Sequence, residues 1–172
     1  MKDIEYIKED LKKSIGEKLY GHCVNVMNTA VDLADFYKVD VEKARLAGLL
    51  HDCGKLINQR IGNLEHAGLG AEIAKSKYEI ADEEIYNAIL YHTTGRVNMT
   101  TLDKIIYIAD KIEPNRKYDG VDELRDLAYS NIDKAIIKSF ENTFDYLKSK
   151  DIEIDKQSID SYEYLKKQVN AS

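Results

Sequence analysis

A chain of 172 residues with a single proline, Pro114, is steered towards helices before any other feature is considered. Proline marks turns and strand edges and breaks helix interiors, so its near absence removes the usual interruptions to long helices. The apolar spacing agrees. Ile4, Ile7, Leu11 and Ile15 recur at helical intervals and predict an amphipathic helix over about residues 3–15. A longer helix is expected from Glu17 to Tyr37, with His22, Val26, Thr29 and Leu33 on one stripe. Asp40 is placed to cap a helix over 41–53, with Gly54 ending it in the left-handed conformation. Asn63 is expected to cap 64–77, and Asp82 to cap 83–93, which Thr93-Thr94-Gly95 would stop. Residues 101–112 give the next helix, with Pro114 just beyond its end. Shorter patterns follow at 121–129, 132–149 and, after a polar break, 157–168. No strand-like alternation persists, and there is no internal repeat or low-complexity tract. The expectation is an all-α fold in one domain spanning residues 1–172.

Composition narrows the class of function. Apolar residues at 44% and charged ones at 33% describe a globular chain rather than a disordered one. The balance of 25 basic against 31 acidic side chains gives a formal net charge of −6, which argues against nucleic acid as a partner. No stretch approaches the ~18 uninterrupted apolar residues of a membrane span. The amino terminus has no apolar secretory core, so the expected location is the cytoplasm. Two cysteines, Cys23 and Cys53, exclude a disulfide framework and read as small buried hydrophobes.

Four polar residues stand where apolar stripes should continue. His22 follows the stripe of Val26 and Leu33, His92 that of Ile85, Ala88 and Ile89, and Asp110 that of Leu102, Ile105 and Ile106. His51 sits over Ala44, Ala47 and Gly48, a small-residue face that lets another helix approach closely. Any one such histidine is more often a hydrogen-bonded core residue, and a lone inward Asp is often a cap or an ion-pair partner. Together they need a common explanation, because a buried carboxylate is costly without a cation or donors. Mutual pairing would supply one, and a metal ion would do so most directly.

With Asp52 directly after His51 and Lys55 close behind, His22, His51-Asp52 and Asp110 resemble the H…HD…D signature of HD-domain metal-dependent phosphohydrolases. Four segments narrow the likeness: Leu49-Leu50-His51-Asp52-Cys53-Gly54-Lys55, Glu65-His66-Ala67-Gly68, Tyr91-His92-Thr93-Thr94-Gly95-Arg96, and Ile108-Ala109-Asp110-Lys111-Ile112-Glu113-Pro114-Asn115-Arg116. They are similar to the YqeK-type symmetrical bis(5′-nucleosyl)-tetraphosphatases. The likeness covers an HD core of about residues 15–150; the first helix and a helical tail over about 151–172 carry none of it. The resemblance implies a helical bundle with a divalent metal, iron first and manganese, cobalt or zinc as alternatives, held by His22, His51, Asp52 and Asp110. It also implies cleavage of diadenosine tetraphosphate into two ADP by a metal-activated water, and a second metal at His66 and His92. His66, in the first turn of its helix, could equally face water.

Phosphoanhydride hydrolysis needs a nucleophile at neutral pH and neutralisation of phosphoryl charge, and a metal serves both. The ligands are imidazole and carboxylate without thiolate, unlike a closed structural zinc site. An anionic nucleotide meeting an acidic protein also needs local cations, for which Lys18, Lys55, Lys111 and Arg116 are candidates by position. Each also reads as an ordinary surface charge. Thr93 and Thr94 could offer hydroxyls to phosphate or only end a helix. His92 has two readings, ligand or proton donor to the leaving group. Asp52, Lys55 and His92 are the candidate catalytic residues, and Tyr107 or Tyr146 could stack on a base. Competing functions are an HD phosphohydrolase for another nucleotide and a silent nucleotide- or metal-binding module. A homodimer through the first and last helices is a further expectation.

Overall fold

In the computed structural model, which describes residues 1–62 and 64–172, the chain forms helices α1 (Ile4–Ile15), α2 (Glu17–Tyr37), α3 (Val41–Leu50), α4 (Glu65–Ser76) and α5 (Glu83–Leu90). They continue as α6 (Thr101–Ile112), α7 (Val121–Ser130), α8 (Ile132–Ser149) and α9 (Lys156–Ala171), with no strand among the described residues. None of these helices is long and apolar enough to cross a membrane.

Local chemistry explains most boundaries. Asp40 and Asp82 cap as expected, accepting from the Lys43 and Ile85 amides at 3.1 Å. Thr100 and Asp103 form a reciprocal capping box at the start of α6. The expected cap at Asn63 lies outside the described residues; α4 begins at Glu65, near the predicted start.

α6 is the axis of the bundle. Leu102, Ile105, Ile106, Ile108, Ala109 and Ile112 are all buried, and only Thr101 at its start is exposed, so the helix is enclosed nearly all round although Asp103 and Asp110 are among its buried residues. It touches α2, α3, α5, α7 and α8. α2 and α3 lie especially close, because a Cβ at Gly48 would sit 2.9 Å from the Met27 Cα. The small-residue face read from the sequence is therefore a helix-helix contact.

Two helices end earlier than expected, and both endings build the site. α3 stops at Leu50 rather than residue 53, and α5 at Leu90 rather than 93; each is followed by a turn, His51–Gly54 and Tyr91–Thr94. Gly54 does not adopt the left-handed conformation assigned to it from sequence; the glycines with positive φ are Gly16, Gly95 and Gly120. What requires glycine at 54 is proximity. A Cβ there would lie 2.1 Å from the His66 carbonyl oxygen and 2.8 Å from the Gly70 nitrogen, both backbone atoms of α4. Gly54→Ala should therefore cost about 3 kcal/mol of stability in denaturant titration, the upper end of overpacking costs, since no rotamer relieves a backbone clash. A neutral result would mean that α4 is free to move away.

α1 is tied to the bundle by a small polar knot. Asp10 accepts from the Tyr78 hydroxyl at 2.8 Å and pairs with Lys77 at 2.6 Å. Partial burial opposes ionisation of Asp10, but these two partners outweigh it and hold the carboxyl below its ordinary range. A depressed folded-state pKa stabilises above the unfolded value and is lost as pH falls through the folded one. Asp10→Asn should lower stability at pH 7 by about 1 kcal/mol, a difference that shrinks as pH falls below the ordinary Asp value of about 4 and through the lowered folded-state value in pH-dependent melting. A pH-independent difference would assign the effect to packing.

Candidate metal centre

Five helices deliver their polar residues to one point. His22 comes from α2, His51 and Asp52 from the turn after α3, His66 from the first turn of α4, His92 from the turn after α5, and Asp110 from the last turn of α6. Two groups of ligand-type atoms result, His22, His51, Asp52 and Asp110 in one and Asp52, His66 and His92 in the other, each within 4.8 Å. Asp52 belongs to both. Its Oδ2 lies 3.2 Å from His51 Nε2 and 3.5 Å from His22 Nε2. Its Oδ1 lies 3.2 Å from His66 Nε2 and 3.3 Å from His92 Nε2.

The imidazoles are oriented from behind. His51 Nδ1 and His92 Nδ1 each lie 2.7 Å from the carbonyl three residues earlier, Gly48 and Ile89 respectively. A carbonyl only accepts, so each Nδ1 carries the proton and each Nε2 is turned inward. The same local device, a helix-ending histidine bonded back to its own helix, is thus used twice. His66 Nδ1 faces the Gly62 carbonyl at 3.3 Å, and His22 Nδ1 donates to Glu113 Oε2 at 3.1 Å. Such outer partners fix the ring and tautomer of a metal-ligating histidine.

Two inward atoms have no hydrogen-bond partner although buried: His51 Nε2 and Asp52 Oδ1. Their neighbours are close but not aimed for hydrogen bonding. Orphaned buried polar atoms are rare and call for an explanation, and a cation between them provides it. The donor set, imidazole nitrogen and carboxylate oxygen, suits a divalent transition metal. The residues fit the group.

The electrostatics show the same demand. Burial raises the Asp52 and Asp110 carboxyls, but the surrounding imidazoles overcome it and hold both far below the usual range. Burial disfavours charge on His51, yet the two carboxylates outweigh it and push the imidazole up to about 10. His92, where burial dominates, is lowered instead.

Above these residues opens a cleft of about 410 Å³. Asp52, His66, His92 and Asp110 lie at its base, and Lys55, Thr93, Lys111 and Arg116 line it as the sequence led one to expect. Arg116 is held by Asp110, with Nη2 3.0 Å from Oδ1 and Nε donating to the carbonyl at 2.9 Å. The Thr93 hydroxyl oxygen is buried without a partner. Thr94 is not part of the lining: its hydroxyl donates to the Gly95 carbonyl at 2.9 Å, because the turn points it away. Lys18 lies outside the cleft too, in a separate hollow beside His22. Tyr107 lines the cleft but is packed against Phe140; Tyr146 is exposed and absent from the lining.

His66 does not face water. It is 3% exposed, buried by the close approach of α4 to Gly54. Cys23 and Cys53 are buried, with thiol pKa values raised by burial, that of Cys53 to about 12, so neither is a nucleophile. Sequence reasoning gave Glu113 no role, although it is 1% exposed and holds His22. Its place three residues after Asp110, one helical turn on, was the available signal. The tail was given no role at the site, only a share in a homodimer interface, yet Ile152, Glu153, Ile154 and Asp155 form the outer wall of the cleft with Phe144 and Leu147 of α8.

A family model described as HD domain matches residues 19–115, the span from the α2 histidine to the loop after α6. The chain belongs to the HD-domain family. Similar proteins extend the match beyond that core. The symmetrical bis(5′-nucleosyl)-tetraphosphatase of Bacillus subtilis is 38% identical, covering 90% of this chain and 93% of that one. The protein of the same name from Staphylococcus aureus is 39% identical over 94% of each. Among solved structures, a predicted HD superfamily hydrolase involved in NAD metabolism from Clostridium acetobutylicum superposes with a TM-score of 0.91 at 40% identity, covering 98% of this chain and 99% of that one. The α1 segment and the tail, which carry no HD motif, are thus within the shared fold.

Removing Glu113 should loosen the centre without touching a ligand. Glu113→Ala should weaken metal binding about 10–100-fold in competition with a chelator. His51→Ala should leave the purified protein with little metal by elemental analysis. Full metal content in His51→Ala would place the metal elsewhere.

Proposed function

We propose that this HD-domain chain hydrolyses diadenosine tetraphosphate symmetrically, giving two ADP. The observation that carries the reading is Asp52, shared between two clusters of ligand atoms at the base of a cleft edged by Lys55, Lys111 and Arg116. The names of the Bacillus subtilis and Staphylococcus aureus relatives, similar over at least nine-tenths of this chain, support the substrate.

His22, His51, Asp52 and Asp110 would hold one divalent ion, and Asp52, His66 and His92 would serve a second, with iron the metal we assign first. The metal supplies an activated water and polarises a phosphoryl oxygen. The protein does the rest. Lys55 and Lys111 neutralise phosphate oxygens, while Arg116, its guanidinium already oriented by Asp110, grips a phosphate in bidentate fashion. The Thr93 hydroxyl, buried and unpartnered, is available to a phosphate oxygen. Phe144, Leu147, Ile152 and Ile154 offer an apolar wall to a nucleoside. His92 is assigned as a ligand rather than a proton donor. Its Nδ1–H is committed to the Ile89 carbonyl and burial keeps the ring neutral, so Nε2 presents a lone pair.

Hydrolysis adds water across the central P–O–P link. The water oxygen joins one inner phosphorus, the bridging oxygen leaves with the other half, and both protons of the water pass to solvent as the two new terminal phosphates ionise. Incubation with diadenosine tetraphosphate and added iron, manganese or cobalt should give ADP as sole product by chromatography. Chelator or Asp52→Ala should abolish it. AMP with ATP would retain the metal site but reject the position of attack. A folded, metal-loaded protein without turnover would overturn the substrate.

A further inference from the structure

A second hollow, about 560 Å³, adjoins the cleft at Arg116. Arg116 lines both. His22 faces the second hollow and Asp110 the cleft, and the two touch at 2.9 Å, so the candidate metal centre is the partition between them. Each space lies within the ~300–1,000 Å³ typical of small-ligand sites.

A substrate cut at its midpoint has two equal halves, and the cutting site must accommodate both. The cleft has donors and an apolar wall for one. The second hollow repeats that chemistry: Lys18, Asn115 and Arg116 can meet phosphate, and Ile15 and Leu19 give apolar surface. The first turn of α2, which has no side-chain cap, lines the same hollow through Glu17, Lys18 and Leu19. The two acids there are engaged, Glu17 with Lys12 at 3.5 Å and Glu113 with His22 at 3.1 Å. We propose that this hollow binds the second nucleoside diphosphate half of the substrate, so that the scissile bond spans the metal centre and each product leaves from its own side. The inference rests on the tetraphosphatase reading above. It gives Lys18, remote from the cleft, a binding role.

Equilibrium dialysis of the metal-loaded protein against labelled ADP tests it directly. Two ADP should bind per chain, and Lys18→Glu, at an exposed position, should remove one. In kinetics with diadenosine tetraphosphate the same variant should raise KM about tenfold and leave kcat within about twofold, since no ligand or cleft residue is altered. One ADP per chain in the wild-type protein, or an unchanged KM in Lys18→Glu, would overturn the second subsite while leaving symmetrical cleavage intact. Absence of ADP from the wild-type reaction would instead remove the reading on which it rests.

Discussion

The fold is organised around one buried carboxylate. Asp52 is 2% exposed and has no lysine or arginine closer than Lys55 at 3.5 Å, yet four imidazole nitrogens lie within 3.5 Å of its oxygens. A buried charge is tolerated only where its surroundings are arranged for it. Here the arrangement recruits five helices, and several otherwise odd features follow. Gly48 lets α2 and α3 close so that His22 and His51 can meet. Gly54 lets α4 bring His66 over the same carboxylate. The turns after α3 and α5 release His51 and His92 from their helices while a bond back to the helix keeps each ring fixed.

The helical scaffold was almost wholly legible, because apolar periodicity and caps are local. α2, α6 and α8 have the limits that spacing gave, and α6 ends just before the only proline. The candidate cluster was legible for two different reasons: His22, His51, His92 and Asp110 are polar residues on inward stripes, which violates local consistency, whereas Asp52 and His66 came only with the resemblance to HD-domain phosphohydrolases. What stayed hidden was non-local. Gly54 reads as a helix terminator until α4 is seen beside it, and the same contact decides between the two readings of His66, second-metal candidate or water-facing residue, by burying it. Glu113 looks like one more acid near a proline. The tail offers no motif, and its place on the cleft wall depends on α9 packing against α8 through Leu165 and the Phe140, Phe144 and Tyr162 rings.

The charge distribution reconciles an acidic protein with an anionic substrate. The net charge of −6 repels polyphosphate at a distance, but screening confines that field to roughly 8 Å in physiological salt. Inside the site the count differs. Asp52, Asp110 and Glu113 bring three negative charges, which one divalent ion leaves at about −1 and two ions turn to about +1. Lys55, Lys111 and Arg116 add three positive charges at the mouth. A mononucleotide would use only part of that field, whereas a four-phosphate chain would engage ions and mouth together. The proposed polyphosphate substrate would call for both: acids that would hold the metal, and lysines and an arginine that keep the space above it positive. Arg116, bound to Asp110 and facing both hollows, joins the two requirements in one side chain.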